Sequence, residues 1–182
     1  AKWLVFTDLD GTLLDRRYDL KAAADAMDSL HQNECLCVPA SSKTHVEMEE
    51  LNSFRKFPSP YIFENGGGLS WPSATAPEMI GRSAEEISDL LDHIRDEHRF
   101  NFRLFRDISV VEIAGRTGLT EPGARKAKAR QASMPLIWTD TQESLERFRQ
   151  ILGFIGLQVV GGGLFQTVLD KQCSKAAAML NI

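Results

Sequence analysis

The stretch Asp8-Leu9-Asp10-Gly11-Thr12-Leu13-Leu14 constrains this chain more than any other. It follows Trp3-Leu-Val-Phe-Thr-Asp-Leu9, a run apolar on both faces, the pattern of a strand inside a parallel sheet. Asp10-Gly11-Thr12 breaks that run, so two carboxylates fall at i and i+2 where a buried strand ends. Ligands of open α/β sheets bind at the carboxyl ends of strands. Two carboxylates placed there repel, which calls for a cation between them, and oxygen donors suit Mg²⁺. In such a pair one carboxylate can attack phosphorus while the other handles protons.

The next segments repeat the pattern. Asp19 is a plausible N-cap for a helix carrying Leu20, Ala23, Ala24, Met27 and Leu30 on one face. Cys35 to Ala40 reads as a second buried strand. It ends at Ser41-Ser42-Lys43-Thr44, where a helix with Val46, Leu51 and Phe54 begins. Pro58 to Pro60 close that unit. Tyr61-Ile62-Phe63 is a third strand, stopping at Glu64-Asn65-Gly66-Gly67-Gly68. Strand, helix, strand, helix, strand predicts a right-handed parallel α/β unit. Ser41 is either a plain helix N-cap or a hydroxyl donor to phosphate at a helix start.

The middle of the chain changes character. Ser83-Ala84-Glu85-Glu86 is a capping box opening a helix to about His98. Phe100 to Phe105 and Val110 to Ala114 read as strands, and Thr120-Glu121-Pro122 starts a basic helix running through Arg130. Leu136 to Trp138 is a strand, Ser144 to Leu152 a helix, and Leu157 to Val160 and Leu164 to Leu169 two more strands. Residues 79–160 are read as an α+β cap domain inserted into a core of 1–78 and 161–182. Ser174 to Leu180 opens a last helix.

On these strings the chain resembles the haloacid dehalogenase superfamily of phosphatases. That resemblance implies a Rossmannoid parallel α/β core with an inserted cap. It makes Asp8 the nucleophile that forms an aspartyl-phosphate and Asp10 the general acid/base, with Mg²⁺ held by Asp8 and by the backbone carbonyl of Asp10. It gives Ser41 the transferred phosphoryl group. It also requires a lysine near a late helix start, for which Lys171 and Lys175 compete. Lys175 opens the Ala-Ala-Ala-Met-Leu stretch and fits that place better. Ser41-Ser42-Lys43-Thr44, Glu64-Asn65-Gly66-Gly67, Gly115 to Leu119 and Ala127 to Pro135 resemble the mannosyl-3-phosphoglycerate phosphatase branch, with Met134 where that branch carries an acidic residue. A substrate of that branch carries a phosphate, a carboxylate and a hexose. Lys43 and Arg130 would meet its anionic groups, while Ser42, Asn65, Gly66, Gly67 and Ser133 would line the remainder. The resemblance also implies an acidic G-D-x-x-N-D loop after the last helix. The sequence stops at Ile182 before any such loop, so it is read as a fragment. Cap closure would turn on hinges near Gly66–Gly68 and Gly161–Gly163. The helix of Arg125, Lys126, Lys128 and Arg130 is either a solvated basic face or a source of these cations.

Composition excludes several other classes. The chain has 182 residues, 43% of them apolar, enough for a packed core. A net charge of −4 argues against nucleic acid as a partner. No apolar run reaches the roughly 18–20 residues of a membrane span, and no leader pattern opens the sequence. Cys35, Cys37 and Cys173 form no disulfide framework, which makes a reducing cytoplasm the expectation; Cys35 and Cys37 read as buried strand cysteines. His31, His45, His93 and His98 share no metal-ligand spacing and read as surface or helix residues. The partner is then a small phosphorylated sugar. The alternatives are a broad sugar phosphatase, or a module that binds such a ligand without turning it over.

Overall fold

The computed structural model describes residues 2–14, 21–53, 59–161 and 163–182. In the first layer β1 (Trp3–Thr7) and β2 (Cys35–Pro39) pair in parallel, from Trp3 opposite Cys35 to Thr7 opposite Pro39. A parallel bridge from Ala40 to Ile62 brings β3 (Tyr61–Phe63) alongside the end of β2. The connection between β1 and β2 carries a 3₁₀ turn at Lys21–Ala23 and α1 (Ala24–Gln32). The expected cap Asp19 and apolar Leu20 lie outside the described residues. Of the expected face, Ala23 is buried, Met27 and Leu30 are half-buried, and Ala24 is exposed.

α2 (His45–Ser53) follows β2. Its start is a reciprocal cap: Glu47 Oε2 accepts from the Thr44 N–H at 2.8 Å, and the Glu47 N–H reaches Thr44 Oγ1 at 3.3 Å. That start turns Met48 and Leu51 onto Leu9, Leu14, Tyr61 and Phe63, and leaves Val46 39% exposed, contrary to its expected core place. Phe54 and Pro58 fall outside the described residues. His45 is a helix residue, as expected, and opens α2: its ring packs against Phe63 at 5.1 Å between centroids, and its Nδ1 lies 2.9 Å from the Tyr61 hydroxyl. Burial raises the Tyr61 phenol above its ordinary value.

The chain does not leave the layer after β3. It makes a 3₁₀ turn at Glu64–Gly66 and returns as β4 (Gly68–Ser70), antiparallel to β3, then β5 (Glu78–Met79). A Cβ at Gly68 would stand 2.0 Å from the Phe63 ring, so this strand requires glycine where the sequence suggested only a stop.

The second layer is a four-stranded antiparallel sheet in the order β6 (Phe102–Leu104), β7 (Ser133–Trp138), β9 (Gln166–Asp170), β8 (Leu157–Val160). Four helices pack on it: α3 (Ala84–His98), α4 (Val110–Thr117), α5 (Glu121–Lys128) and α6 (Gln142–Phe154). The Ser83–Glu86 capping box is present, as expected. Residues 110–114, expected as a strand, are helical, because Ser109 caps the Glu112 N–H and Gly118 ends the helix at φ +76. The basic helix stops at Lys128, short of Arg130. Residues 166–170, expected with the core, hydrogen-bond between β7 and β8. Gly161 and Gly163 therefore belong to the turn between two strands of one sheet and are not a link between layers.

Phe100, Phe102, Trp138 and Phe148 form an aromatic group inside the second layer, with Phe100 edge-on to Phe148 at 5.5 Å and Trp138 at 5.0 Å from it. The chain returns through Lys171 to Ser174 into α7 (Lys175–Met179), whose Ala178 packs with Ala40, Ile62 and Leu69 of the first layer. Among the described residues no helix is long and apolar enough to cross a membrane.

Candidate active site

The loop after β1 is shaped by its own sequence. Leu9 O accepts from the N–H groups of Thr12 at 3.1 Å and Leu14 at 2.8 Å, and Gly11 supplies φ +76 for the turn. Leu9 and Leu14 are buried beneath it, so Asp8 and Asp10 both project to the open side. Lys175, the first residue of α7, reaches Asp8: Nζ to Oδ1 is 2.9 Å. Lys43 reaches Asp10 Oδ1 at 3.0 Å, with its side chain only 12% exposed. Ser41 lies fully buried at the end of β2, its Oγ accepting from the Lys43 N–H at 3.2 Å. Lys171 points elsewhere and donates to the Gly153 carbonyl at 3.3 Å. Of the two competing lysines the structure therefore sets Lys175 beside Asp8.

The Asp8 carboxylate, 50% exposed, and the backbone carbonyl of Asp10 offer the oxygen donors that Mg²⁺ takes together with water and phosphate oxygens, which keeps the Asp10 carboxyl for proton transfer. Among the described residues no third His, Cys, Asp or Glu joins them in a cluster. The donor set fits the ion through two protein ligands.

The Glu64–Gly67 turn joins the two layers. Glu64, Asn65 and Gly66 all have positive φ, at 46°, 56° and 95°, conformations that cost energy for the two non-glycine residues. The turn is held by the Glu64 N–H on Lys43 O at 2.8 Å and the Asn65 N–H on Ser41 O at 2.9 Å. A Cβ on Gly66 would stand 2.1 Å from Ser174 O, and one on Gly67 2.4 Å from the Ala132 Cβ. These glycines are close-packing positions, not the hinge expected of them. The Glu64 carboxylate is fully buried. It accepts from the Gln131 N–H at 2.8 Å, the Ala132 N–H at 3.0 Å and Ser133 Oγ at 2.6 Å. Glu64 stands in the Glu64-Asn65-Gly66-Gly67 string that carries the resemblance, but no role of its own was expected of it.

Arg130 bridges the layers from the other side. Its Nη1 donates to the Ser42 carbonyl at 2.9 Å and its Nε to the Ala127 carbonyl at 3.0 Å. Lys126 pairs with Glu50, and Lys128 Nζ donates to the carbonyls of Arg106 and Ile108 at 2.9 and 2.6 Å. Three of the four basic residues are thus tied to neighbouring chain, and Arg125 is exposed. A cleft of about 240 Å³ lies between the layers, lined by Ser42, Lys43 and Arg130 with Phe105, Leu119 and Phe165 opposite. A second, of about 190 Å³, runs past Asn65, Gln158, Ser174 and Lys175. Ser133, Gly66 and Gly67, expected to touch substrate, are buried, as Ser41 is.

Two links cross between the layers, at Ile80–Arg82 and Asp170–Ser174. There a Cβ on Gly81 would stand 2.6 Å from Asp170 Cβ, and Cys173 Sγ donates to Ile80 O at 3.0 Å. Burial, helped by the Asp170 and Glu64 charges, pushes the Cys173 thiol up to about 11. All three cysteines are free thiols, Cys37 and Cys173 buried and Cys35 half-buried.

Comparison with known proteins agrees with this layout. Residues 5–155 match the family model of haloacid dehalogenase-like hydrolases. The chain belongs to that family. A haloacid dehalogenase-like hydrolase from B. subtilis superposes with TM-score 0.68 at 13% identity, over 98% of this chain and 76% of its own. One from Bacteroides thetaiotaomicron, described among phosphatases of the haloalkanoate enzyme superfamily, gives 0.70 at 18%, over 98% and 70%. A protein from Thermotoga maritima gives 0.66 at 19%, over 98% and 73%. At these identities the likeness is one of fold. This haloacid dehalogenase-like hydrolase has an α/β architecture with mixed sheets and helices, as expected.

Proposed function

We propose that the chain is a Mg²⁺-dependent phosphatase of small phosphorylated sugars, working through an aspartyl-phosphate. The observation that carries this reading is the convergence of Asp8, Asp10, Ser41, Lys43 and Lys175 at one set of strand ends. Asp8 attacks phosphorus in line, forming an O–P bond as the substrate's P–O bond breaks, and Asp10 gives its proton to the departing alkoxide. Water then attacks the phosphorus, loses a proton to Asp10, and displaces the Asp8 carboxylate. Lys175 and Ser41 offset charge on the phosphoryl oxygens through both steps. Mg²⁺, when held by Asp8 and Asp10, supplies further charge neutralisation there.

For the substrate we favour mannosyl-3-phosphoglycerate. Lys43 and Arg130 flank the cleft where a carboxylate would sit, and Asn65 and Gln158 line the second cleft with neutral amides suited to hydroxyl groups. Met134, the departure from that branch, is buried in the core of the second layer and removes no cation or amide from either cleft. The three free thiols agree with a reducing, cytoplasmic setting. Phosphate release with Mg²⁺ from mannosyl-3-phosphoglycerate, glucose 6-phosphate and p-nitrophenyl phosphate tests the reading. A clear preference for the first supports this substrate. Equal rates point to a broad sugar phosphatase. No release that depends on Asp8 removes the enzyme reading.

A further inference from the structure

We infer that Glu64 is a positioning residue that sets the distance between the two cations reading a second negative charge on the substrate. The inference rests on the phosphatase reading only for where the phosphoryl group lies. An ionised carboxylate at full burial is costly unless every partner is in place. Glu64 has three donors, from the turn that follows α5 and the first residue of β7: Gln131, Ala132 and Ser133. Ser133 Oγ also lies 3.5 Å from Arg130 Nη1, which donates in turn to the Ser42 carbonyl at 2.9 Å. A continuous chain therefore runs from Glu64 through Ser133 and Arg130 to Ser42.

The main chain of the same residue acts on the other cation, since the Glu64 N–H donates to the Lys43 carbonyl at 2.8 Å. One residue thus grips the backbone beside Lys43 and the turn that presents Arg130. The guanidinium is braced further by the Phe105 ring, whose centroid is 6.0 Å from Arg130 Cζ. Held on the Ala127 and Ser42 carbonyls through Nε and Nη1, the guanidinium keeps its place beside the Lys43 ammonium group and turns its Nη2 edge to a carboxylate carried near the phosphate ester. The positive φ of Glu64 fits this role, because such a conformation persists only where the surroundings hold it.

The test is calorimetric binding to the full chain, with 3-phosphoglycerate and orthophosphate as probes. The wild type should bind 3-phosphoglycerate more tightly. Glu64→Gln should weaken it about tenfold while changing orthophosphate binding less than about twofold. Arg130→Gln should do the same, and the double variant should lose no more than Arg130→Gln alone, since both act through one path. A merely structural Glu64 would weaken both probes and add to the Arg130 effect. Ser133→Ala, which leaves two of the three donors, should give a smaller selective loss and decides the matter if Glu64→Gln does not fold. Equal loss of both probes, additive effects, or no preference for 3-phosphoglycerate in the wild type would each overturn the inference. Failure of the phosphatase reading shows separately, as selective binding without Mg²⁺-dependent phosphate release.

Discussion

Lys175 Nζ lies 2.9 Å from Asp8 Oδ1, joining residues 167 positions apart. Asp8 ends the first strand and Lys175 begins the last helix, so the pair exists only when both layers and the links between them are folded. Replacing Asp8 by Asn should lower phosphate release at least about a thousandfold in kcat. Lys175→Met should cost about a hundred- to a thousandfold. Lys171→Met should stay within about twofold, because that side chain faces Gly153. Steady-state rates of the three variants check the assignment, and a crippled Lys171 variant beside an active Lys175 variant would reverse it.

Gly66→Ala should destabilise the protein by at least about 2 kcal/mol. The new Cβ would lie 2.1 Å from the Ser174 carbonyl oxygen, at a φ of +95. Gly115→Ala is the opposite case. It sits inside α4 with nothing within 4 Å of the added carbon, and should stabilise by about 0.5–1 kcal/mol. Urea unfolding of the two variants beside the wild type measures both signs at once.

Cysteine reactivity should separate by environment. With its thiol pushed up to about 11 and buried, Cys173 should resist iodoacetamide at pH 8 until the protein unfolds. Half-buried Cys35 should react first. Mass analysis of peptides after timed alkylation gives the order, and early labelling of Cys173 would show that the link between layers opens readily.

Acid should weaken the second layer through its helix starts. The Ser83 cap holds the Glu86 carboxyl below its ordinary 4.5, and Arg103 with Arg116 does the same for Glu112. A lowered folded value means that the stabilisation is fully present above 4.5 and is lost as pH falls below it. Denaturant midpoints should therefore drop between pH 5 and about pH 3. Glu86→Gln and Glu112→Gln should each flatten that drop, and an unchanged slope in both would place the acid sensitivity elsewhere.

Much of this was legible because it is local. The Asp8–Leu14 string carries its own turn, and the Ser83–Glu86 box declares its helix within four residues. The same logic was available at Ser109-x-x-Glu112 and lost to the apolar Val110-Val111, whose β-branched pair reads as strand; the cap and the Gly118 stop decided otherwise. What was not legible depends on remote partners. β9 joins the second layer because it pairs with β7, some thirty residues away. Glu64 finds all its donors 67 to 69 positions downstream. Ser133 carries a hydroxyl suited to a sugar, yet the fold turns it inward to that carboxylate.

Gly66 touches its neighbour main chain to main chain, and this sets the tolerance of the site. Side chains that meet can trade rotamers and absorb a small error. Bare α-carbons against a carbonyl cannot. The start of α7 is located by such a contact at Ser174, one residue before Lys175. The lysine's aim at Asp8 thus inherits the machining accuracy of the backbone, and drift in the surrounding side chains, over evolution or in a designed variant, can proceed without detuning it.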